Sequence, residues 1–302
     1  MKVLNFGSLN IDYVYSVEHF VRAGETLASE KMEQFPGGKG LNQSVAFARA
    51  GACVYHAGSI GAEGEFLRSL LSESGVDTRF VRTLSDTPSG HAIIQVTPSG
   101  ENCILLYSGA NGCVTEEMID RVLSEFEAGD LLMLQNEVNA IDRIIEKAHA
   151  KGMRIALNPS PFNQVILDLD LSKIHYLILN ETEGCELTGE TEAERIIDSL
   201  LCRYPDIKLV LTLGSRGSLY ADGTGARAEH GIFKVKAVDT TAAGDTFTGY
   251  FFTSLLNGLS PAQALAVASA ASSIAVSRKG AAPSIPTVDE VKRSGFVPFL
   301  SK

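Results

Sequence analysis

Tryptophan is absent from this 302-residue chain, and cysteine occurs only five times. The cysteines are widely spaced and form no C-x-x-C pair, so the sequence indicates neither a zinc site nor a disulfide framework. Small thiols in a reducing compartment are the simpler interpretation. The six histidines lack metal-ligand spacing such as H-E-x-x-H, and no Ser-His-Asp arrangement stands out. Zinc and serine hydrolases are therefore not indicated.

Long apolar runs are also missing. The longest mostly apolar stretch, residues 262–276, is too short and too rich in Ser and Gln to span a bilayer. Asn5 and Asn10 interrupt the apolar residues at the start of the chain, so no secretory signal peptide is predicted. We therefore expect a cytoplasmic protein.

Positive charge is in short supply. The chain has 26 Lys and Arg against 36 Asp and Glu, which gives a formal net charge of -10. Nucleic-acid binders normally carry a basic face, and an acidic chain does not dock readily on an anionic membrane. We therefore expect neither partner. A phosphate-bearing ligand is still possible, because local backbone N–H groups can hold phosphates against an unfavourable global field.

What the chain does contain is an alternation of strand-like and helix-like segments. Hydrophobic residues make up 45% of the sequence, which is enough for a large core. Buried strands are predicted at 3–6, 54–59, 131–134, 154–157, 176–179 and 209–213. Helices are predicted at 40–50, 65–74, 115–126, 140–150 and 192–203. This order predicts a mostly parallel sheet with helices on both faces.

Two segments interrupt the alternation. Residues 11–35 have strand-like stretches around a turn at Gly24, and 91–107 read as two strands joined by a turn at 98–101. Together they predict a small accessory sheet, which in an α/β enzyme can serve as a lid over the site. The alternative is a pair of surface hairpins with no further role.

The segment 238–247 carries the strongest local chemical signal. A β-like run, 233–238, leads into it, and an apolar helical run, 247–256, leaves it. Small residues at a helix start let backbone N–H groups approach an anion, and the helix dipole favours negative charge there. Asp245 is predicted in the first turn, where it could accept a proton from a bound hydroxyl. It could equally be an ordinary N-terminal helix charge.

Six motifs in chain order resemble those of the ribokinase-like carbohydrate kinases, also called the PfkB family. The two most specific match that family's signatures G-G-K-G-x-N-Q and D-T-x-x-A/G-G-D. The six are 7–12 (GSLNID), 36–43 (PGGKGLNQ), 180–183 (NETE), 212–217 (TLGSRG), 239–247 (DTTAAGDTF) and 278–284 (RKGAAPS). One such motif would be weak, but six in order across almost the whole chain are very specific.

The resemblance implies a ribokinase-like three-layer α/β/α fold with a mostly parallel central sheet and a small β-sheet lid. The large nucleotide- and sugar-binding domain would comprise residues 1–10, 36–88 and 108–302. The lid would comprise residues 11–35 and 89–107. Edge strands of this lid could pair across a dimer, so we expect a homodimer through the lid.

The implied activity is transfer of the γ-phosphate of ATP to a sugar hydroxyl, with Mg²⁺ as cofactor and K⁺ as activator. The motif set is most similar to ribose-phosphorylating members, so D-ribose phosphorylated on its 5-hydroxyl is the first choice. Deoxyribose, fructose, 2-keto-3-deoxygluconate and nucleosides stay open, as does a sugar- or nucleotide-binding protein without catalysis. Tyr13, Tyr15 and His91 depart from the usual lid pattern and could reshape the sugar pocket.

The resemblance also implies site residues. Asp245 would be the base, beside an anion hole formed by Ala242, Ala243 and Gly244. The sugar would be bound by Asn10, Asp12, Gly38, Lys39, Asn42 and Glu137, together with Asp245. Simpler readings remain: Asn and Asp favour turns, a glycine-rich segment before a helix is often structural, and Glu137 could be a solvated loop carboxylate.

Nucleotide and metal ligands follow from the same resemblance. The nucleotide would contact Asn180, Thr212, Gly214, Ser215, Gly217 and Gly244. Glu183 would organise Mg²⁺ through water, since Mg²⁺ usually keeps several waters. The K⁺ site would comprise Asp239, Thr241, Ala275, Arg278, Gly280 and Ser284.

Overall fold

A computed structural model describes residues 1–301 of the chain, which form two sheets with helices packed around the larger one. The strands are β1 Val3–Phe6, β2 Asn10–Ser16, β3 Lys31–Gly37, β4 Val54–Gly61, β5 Asp77–Leu84, β6 Gly90–Val96, β7 Asn102–Tyr107, β8 Leu131–Gln135, β9 Arg154–Asn158, β10 Tyr176–Asn180, β11 Lys208–Thr212, β12 Ser218–Asp222 and β13 Arg227–His230. The helices are α1 Lys39–Arg49, α2 Glu65–Glu73, α3 Glu116–Leu123, α4 Ile141–Ala150, α5 Gln164–Leu167, α6 Glu181–Thr188, α7 Ala193–Arg203, α8 Ala243–Leu256, α9 Pro261–Val276 and α10 Val288–Arg293. Short 3₁₀ turns are Ala62–Gly64, Gly109–Gly112, Leu171–Lys173, Gly214–Arg216, Ala282–Ser284 and Pro298–Ser301.

The larger sheet has nine strands in the order β13-β12-β11-β10-β9-β8-β1-β4-β5. Its pairs from β11 through to β5 are all parallel, and β12 and β13 extend it antiparallel at one edge. Parallel strands need crossover connections, and helices supply most of them. The predicted mostly parallel α/β sheet is confirmed.

Both faces of this sheet are covered. Successive residues of a strand point to opposite faces, so β1 sends Val3 into one apolar cluster and Leu4 into the other. The first cluster contains aromatic side chains of α1 and α8, such as Phe47 and Phe251. The second contains aliphatic side chains of α3, α4 and α7. Burying each large apolar side chain contributes about 1.5–3 kcal/mol, which explains why residues 131–134 of the central strand β8 are all apolar.

The helices α1 and α8 approach each other closely, and Gly249 makes this possible. A Cβ atom at Gly249 would lie 2.4 Å from the Cβ of Ala46 and 2.7 Å from backbone atoms of α1. A side chain there would force the helices apart. This contact fixes the start of α8 relative to α1, which matters for the site described below.

The smaller sheet has the strand order β3-β2-β6-β7. The strand β2 pairs antiparallel with β3 and parallel with β6, and β6 pairs antiparallel with β7. These strands coincide with the two segments that the sequence set apart, except that β2, β3 and β6 extend one or two residues beyond them. The small second sheet is confirmed. The strand β7 is exposed along its whole length, including Leu105 at 68% exposure.

The structure corrects one local prediction and adds three strands. Residues 233–238 alternate as a strand would, but they form none. Their neighbour is the end of α9, where the N–H groups of Val238 and Asp239 donate to the carbonyl of Val276 at 2.8 and 3.1 Å. Sequence analysis did not identify β5, β12 or β13. Within residues 1–301, every helix is too short or too polar to span a lipid bilayer.

Candidate active site

The predicted site residues gather at the carboxyl ends of the parallel strands. Glu137 follows β8, Asn158 ends β9, Asn180 ends β10 and Thr212 ends β11. In open α/β sheets the ligand crevice lies at this edge, because strand ends there deliver loops and helix starts to one place. The start of α8 faces the same edge.

Asp245 lies in the first turn of α8. The residue before the helix, Ala242, has φ of +57°, a left-handed backbone that is uncommon for a residue with a side chain. Within residues 1–301, the N–H groups of Gly244 and Asp245 have no hydrogen-bond acceptor. Free amides at a helix start form an anion site. The strained Ala242 therefore lies where a ligand would use these donors.

The carboxylate of Asp245 is buried, with 7% exposure, and both of its oxygens accept amide hydrogen bonds. Asn42 Nδ2 donates to Oδ2 at 3.1 Å, and Gln43 Nε2 donates to Oδ1 at 2.9 Å. Both amides come from α1, which the Gly249 contact holds against α8. The carboxylate of Asp245 thus accepts hydrogen bonds from two neighbouring residues of the G-G-K-G-x-N-Q motif.

A cavity of about 220 Å³ opens beside Asp245. The predicted residues that line it are Lys39, Asn180, Glu183, Thr212 and residues 242–245. Burial would lower the pKa of Lys39, but the carboxylates of Asp245, Glu137 and Glu183 together raise it. The ammonium therefore stays charged in this cavity, which suits a phosphate group.

A second, larger cavity of about 580 Å³ shares Thr212, Thr240, Ala243 and Gly244 with the first. It includes the predicted nucleotide residues Gly214, Ser215 and Gly217. Sequence analysis missed its apolar walls, which are Ile232, Phe233, Val235, Phe247 and Val276. Apolar walls with a few polar groups are typical of sites for flat ring systems. Residues 232–237, which form no strand, supply one wall.

Asn10 and Glu137 line a third cavity, of about 720 Å³, between the small sheet and the loop after β8. Asn10 is held by Asn111, whose Nδ2 donates to Asn10 Oδ1 at 2.7 Å. Because its oxygen is occupied, Asn10 keeps its amide N–H groups for a ligand. The other predicted sugar residues Asp12, Gly38 and Asn42 line none of these three cavities, but they adjoin the same place.

Gly38 and Asn42 sit at the first turn of α1. Gly38 caps the helix with φ of +94°, and a Cβ there would lie 3.0 Å from the backbone nitrogen of Asn10. Only glycine fits both conditions easily. The Oδ1 atom of Asn42 is buried and has no hydrogen-bond partner within residues 1–301. A buried acceptor without a partner is costly, so this atom is suited to a ligand hydroxyl.

Two carboxylates face the same region. Glu137 Oε2 accepts hydrogen bonds from the backbone N–H of Lys39 at 2.9 Å and from the hydroxyl of Ser8. Burial nevertheless raises the pKa of Glu137. Burial, and then the nearby Glu137, raise the pKa of Asp12 to about 7. Carboxyl groups in such surroundings gain from hydroxyl donors.

Asn180 and Glu183 form a capping box at the start of α6. Asn180 Oδ1 accepts from Glu183 N–H at 2.9 Å, and Glu183 Oε2 accepts from Asn180 N–H at 3.0 Å. Within residues 1–301, no group of three or more His, Cys, Asp or Glu side chains could hold a metal ion. Glu183 lines the 220 Å³ cavity beside Asn180, and a carboxylate in that place would hold a Mg²⁺ ion through water.

The predicted monovalent-cation residues are brought together in part. Asp239 Oδ1 accepts from Thr241 N–H at 2.9 Å, and its Oδ2 accepts from Gly280 N–H at 2.9 Å. This holds the loop after α9 against residues 239–241, which adjoin the 220 Å³ cavity through Thr240. The carbonyl of Ala275 accepts from Arg278 N–H at 3.0 Å, and Ser284 Oγ donates to the carbonyl of Ala281 at 2.8 Å. These hydrogen bonds bring together the residues that the resemblance assigns to the cation, but each oxygen named here is engaged within the chain.

The same loop is tied to α1. The guanidinium of Arg49, at the end of α1, donates to the carbonyl of Ala282 at 2.9 Å and to that of Ile285 at 2.5 Å. Tyr250 of α8 donates to the carbonyl of Pro286 at 2.7 Å. Sequence analysis gave no role to Arg49 or Tyr250, because both act through contacts far away in the chain.

Sequence analysis also missed Asn111 and left Gln43 and Gln135 without roles. Gln43 belongs to a recognised motif and Gln135 precedes Glu137, so their positions were visible. Their partners were not, because Gln135 Nε2 reaches Gln43 Oε1, 92 residues away in the chain, at 2.6 Å. Tertiary contacts between polar side chains leave no periodic pattern in a sequence.

Comparisons with known proteins show the family and the fold of the chain. Residues 1–288 match the family model described as pfkB family carbohydrate kinase. A ribokinase from Haemophilus influenzae is 38% identical over 292 residues, which cover 94% of this chain and 95% of that protein. The crystal structure of ribokinase from Cryptococcus neoformans var. grubii serotype A in complex with ADP has a TM-score of 0.85 at 30% identity, covering 97% of this chain and 99% of that one.

The structure of Arabidopsis thaliana ribokinase complexed with ribose and ATP has a TM-score of 0.84 at 29% identity, with 97% of each chain covered. These likenesses run over nearly the full chain, and they confirm the ribokinase-like fold. The resemblance that the six motifs indicated is confirmed as well. The chain belongs to the pfkB family of carbohydrate kinases.

Proposed function

We propose that the chain transfers the γ-phosphate of ATP to a sugar hydroxyl, with D-ribose as the sugar and its 5-hydroxyl as the attacking group. One observation carries this proposal. The buried carboxylate of Asp245 lies at a helix start with free N–H groups, beside the cavity lined by Lys39 and Glu183. A proton acceptor and an anion site in one place are what phosphoryl transfer requires.

Each of the three cavities has a role in this proposal. The 580 Å³ cavity holds the adenosine part of ATP, and its apolar walls contact the base. The 220 Å³ cavity holds the terminal phosphates next to residues 242–245. Asn10 and Glu137 bind ribose hydroxyls from the 720 Å³ cavity, together with Asp12, Gly38, Lys39 and Asn42.

The chemical step follows from these positions. Asp245 accepts the proton of the ribose 5-hydroxyl while that oxygen forms a bond to the γ-phosphorus of ATP. The bond from the γ-phosphorus to the β,γ-bridging oxygen breaks, and ADP leaves with the electron pair. The N–H groups of Gly244 and Asp245 and the ammonium of Lys39 stabilise the negative charge that spreads over the transferred group.

The choice of ribose rests on the relatives and on the polar set. Both structural relatives described above are ribokinases, and the Arabidopsis thaliana protein is complexed with ribose and ATP. The unpartnered acceptor on Asn42, the free amide of Asn10 and the proton-holding carboxyl of Asp12 suit a ligand that carries several hydroxyls.

Mg²⁺ and K⁺ are proposed on the donor sets alone. Mg²⁺ would neutralise phosphate charge near Glu183, and K⁺ would occupy the loop that joins Asp239 to Gly280. The residues proposed to hold the two ions are already arranged by contacts within the chain.

The small sheet is proposed as a lid and as a homodimer interface. Its strands bring Asn10 and Asp12 to the site, so a movement of the sheet would open or close the sugar pocket. Its edge strand β7 exposes a row of large apolar side chains, which suits pairing with a second copy. The cysteines are all free, which fits a cytoplasmic location.

A coupled assay of ADP release tests the function. Ribose, deoxyribose, fructose, 2-keto-3-deoxygluconate and a nucleoside are compared at equal concentration, and a sugar-free reaction is the control. We expect ribose to give the highest kcat/KM. We also expect the product to carry phosphate on the oxygen at carbon 5 of ribose, as shown by phosphorus coupling in its NMR spectrum. Turnover of a nucleoside alone would contradict the choice of ribose, and ATP consumption that ignores every sugar would contradict the kinase assignment.

The cation proposal has its own arm in this assay. Reactions in K⁺ are compared with reactions in a large organic cation at the same ionic strength. Equal rates would remove the K⁺ site, whereas activation by K⁺ that is lost in Asp239→Ala would support it. Thermal unfolding with and without K⁺ reports binding independently of turnover.

A further inference from the structure

A set of fully buried polar side chains lies beneath Asp245, and the activity proposed above assigns it no role. We name this set the buried amide chain, and its members are Asn5, Gln43, Ser44, His56 and Gln135, each with 0% or 1% exposure. Polar side chains are expensive to bury, and well-packed apolar residues often serve stability equally well. A buried polar series that leads to a reactive carboxylate therefore calls for an explanation beyond stability.

The direction of each hydrogen bond is set from the far end of the buried amide chain. The carbonyl of Gly7 can only accept, so His56 Nε2, at 3.2 Å, donates to it. Burial lowers the pKa of His56 to about 4, which keeps the ring neutral near pH 7. Its Nδ1 is therefore an acceptor, and it receives the hydroxyl proton of Ser44 at 2.8 Å.

The next links follow from this beginning. The Ser44 hydroxyl has one hydrogen, which it gives to His56, so its oxygen accepts from Asn5 Nδ2 at 2.8 Å. The same Asn5 nitrogen donates to the carbonyl of Gly40 at 2.7 Å. The oxygen of Asn5 then accepts from Gln135 Nε2 at 3.0 Å. A 180° flip of the side-chain amide of Asn5 or of Gln135 would break at least one of these hydrogen bonds.

The last link reaches Asp245. Gln135 Nε2 also donates to Gln43 Oε1 at 2.6 Å, so the oxygen of Gln43 points away from Asp245. Its amide nitrogen then points toward two acceptors, Asp245 Oδ1 at 2.9 Å and Asn158 Oδ1 at 3.1 Å. Every donor and acceptor of Gln43 is thus engaged, and the carboxylate receives a donor.

We propose that Gln43 is a positioning residue for the catalytic base, and that the buried amide chain, anchored at the carbonyl of Gly7, dictates that Gln43 offers Asp245 a donor. The inference rests on the proposed role of Asp245. A donor to the charged form of a carboxylate favours ionisation, so Gln43 keeps Asp245 ready to accept a proton. A base held by a third group is the arrangement that activated hydroxyls require.

Other charged groups act on Asp245 and must be kept constant. The ammonium of Lys39 and the carboxyl of Glu137 both interact electrostatically with Asp245. Glu183 acts on Lys39. Asn42, which binds Oδ2, is the second amide donor. A pH experiment on Gln43 variants leaves these four residues unchanged, so a shift can be assigned to Gln43.

The test compares Gln43→Leu and Gln43→Glu with the parent protein. Leucine has a similar size and removes the donor, and glutamate keeps the shape but adds a negative charge. For Gln43→Leu we expect kcat to fall about tenfold and the acidic limb of its pH profile to move up by about one pH unit, because a hydrogen bond to a charged group is lost. For Gln43→Glu we expect a larger movement in the same direction, because like charges disfavour ionisation.

A remote variant and a matched control complete the design. Ser44→Ala breaks the link between Asn5 and His56, and we expect it to move the acidic limb upward by less than Gln43→Leu does. Thr253→Val on α8 removes a buried hydroxyl that has no partner within residues 1–301, and we expect it to leave the pH profile in place. Thermal unfolding of each variant shows whether it folds.

The outcomes separate this inference from the function on which it rests. If Gln43→Leu loses turnover while its acidic limb stays in place, Gln43 is only structural and the inference is wrong. If Gln43→Leu fails to fold, the isosteric Gln43→Glu decides by the same criterion. If Asp245→Asn keeps full turnover, the base assignment itself fails. A large loss in Asp245→Asn with unmoved limbs in all Gln43 variants overturns the inference alone.

Discussion

The two aspartates of the proposed sugar site, Asp245 and Asp12, lie in opposite surroundings. At the start of α8, both oxygens of Asp245 accept amide hydrogen bonds from α1. On the small sheet, the carboxyl of Asp12 has no hydrogen-bond partner within residues 1–301, and burial with Glu137 raises its pKa to about 7. The protein thus supplies the partners of one carboxyl group and leaves the other to find them in a ligand.

In the proposed reaction, this difference would assign a different task to each carboxyl group. The group that moves a proton must be in place before the substrate arrives, because reorganisation during the reaction would add to the barrier. The group that recognises hydroxyls gains most when the hydroxyls themselves satisfy it. The large sheet, packed on both faces, holds the first group, and the small, exposed sheet carries the second.

Replacing the proposed proton acceptor, Asp245, should have the largest effect on turnover. In Asp245→Asn the two amide donors remain, but the side chain can no longer take a proton. We expect kcat to fall about 10²-fold or more, which is the usual scale of general-base catalysis. Steady-state kinetics with ribose and ATP measure this, and calorimetric ribose binding within a few-fold of the parent value would show that the site is intact. If Asp245→Asn turned over near the parent rate, Asp245 would not be the base, and the proposed difference in role between Asp245 and Asp12 would be wrong.

Loosening the contact between α1 and α8 should come next. In Gly249→Ala the added methyl group meets the backbone of α1, so the two helices that hold Asp245 must separate. We expect a loss of about 1–3 kcal/mol in the free energy of unfolding, with a lower kcat. Urea unfolding and kinetics measure the two effects. Gly231→Ala is the matched control, since a Cβ there meets no atom within 4 Å; equal behaviour of the two variants would refute the prediction.

The carboxyl group of Asp12, which has no hydrogen-bond partner within residues 1–301, should make the free energy of unfolding depend on pH. An unfolded chain ionises Asp12 near 3.8, whereas the folded protein holds that proton to about pH 7. The folded state therefore binds more protons between these values, and stability is lost as pH rises through the window. We expect Asp12→Asn to raise the free energy of unfolding at about pH 8 but hardly at about pH 4. Sugar-free urea unfolding at both pH values measures this, and an equal change at both would contradict it.

The smallest effect on chemistry should come from the exposed edge of the small sheet. Leu105→Lys places a charge in the middle of β7, at a side chain that is 68% exposed. If a second copy pairs there, we expect the variant to be monomeric in analytical ultracentrifugation and kcat to change by less than about threefold, since a surface charge costs little elsewhere. Glu101→Lys, in the turn before β7, is the control. A dimer that survives in Leu105→Lys excludes this edge as the interface.

Much of the molecule could be predicted from local pattern. The alternation of strands and helices predicted the sheet, and small residues before an apolar helix indicated the anion site at 242–245. The run 233–238 misled, because its alternation resembles a strand while its hydrogen-bond partner is the end of α9. No local rule reports which distant backbone a segment will meet.

The network under the site was out of reach for the same reason. Asn5, Gln43 and Gln135 come from β1, α1 and β8, and their meeting depends on the order of strands in the sheet. Each of them alone is an unremarkable polar residue. The resemblance to a family placed the motif that contains Gln43, but only coordinates show what its amide contacts.

The hydrogen bonds from Arg49 to the loop after α9 link residues 282–285 to the helix that carries Asn42 and Gln43. Through this link, a loop late in the sequence would affect the position of the proposed base. The helix α1 is about 16 Å long, with Asn42 and Gln43 in its first turns and Arg49 in its last. A rigid rod held at one end by Ala282 and Ile285 keeps its other end in register. A truncation that removes this loop would remove the two hydrogen bonds of Arg49. We then expect Asn42 and Gln43 to shift and the carboxylate of Asp245 to lose its orientation, although no residue near it had changed.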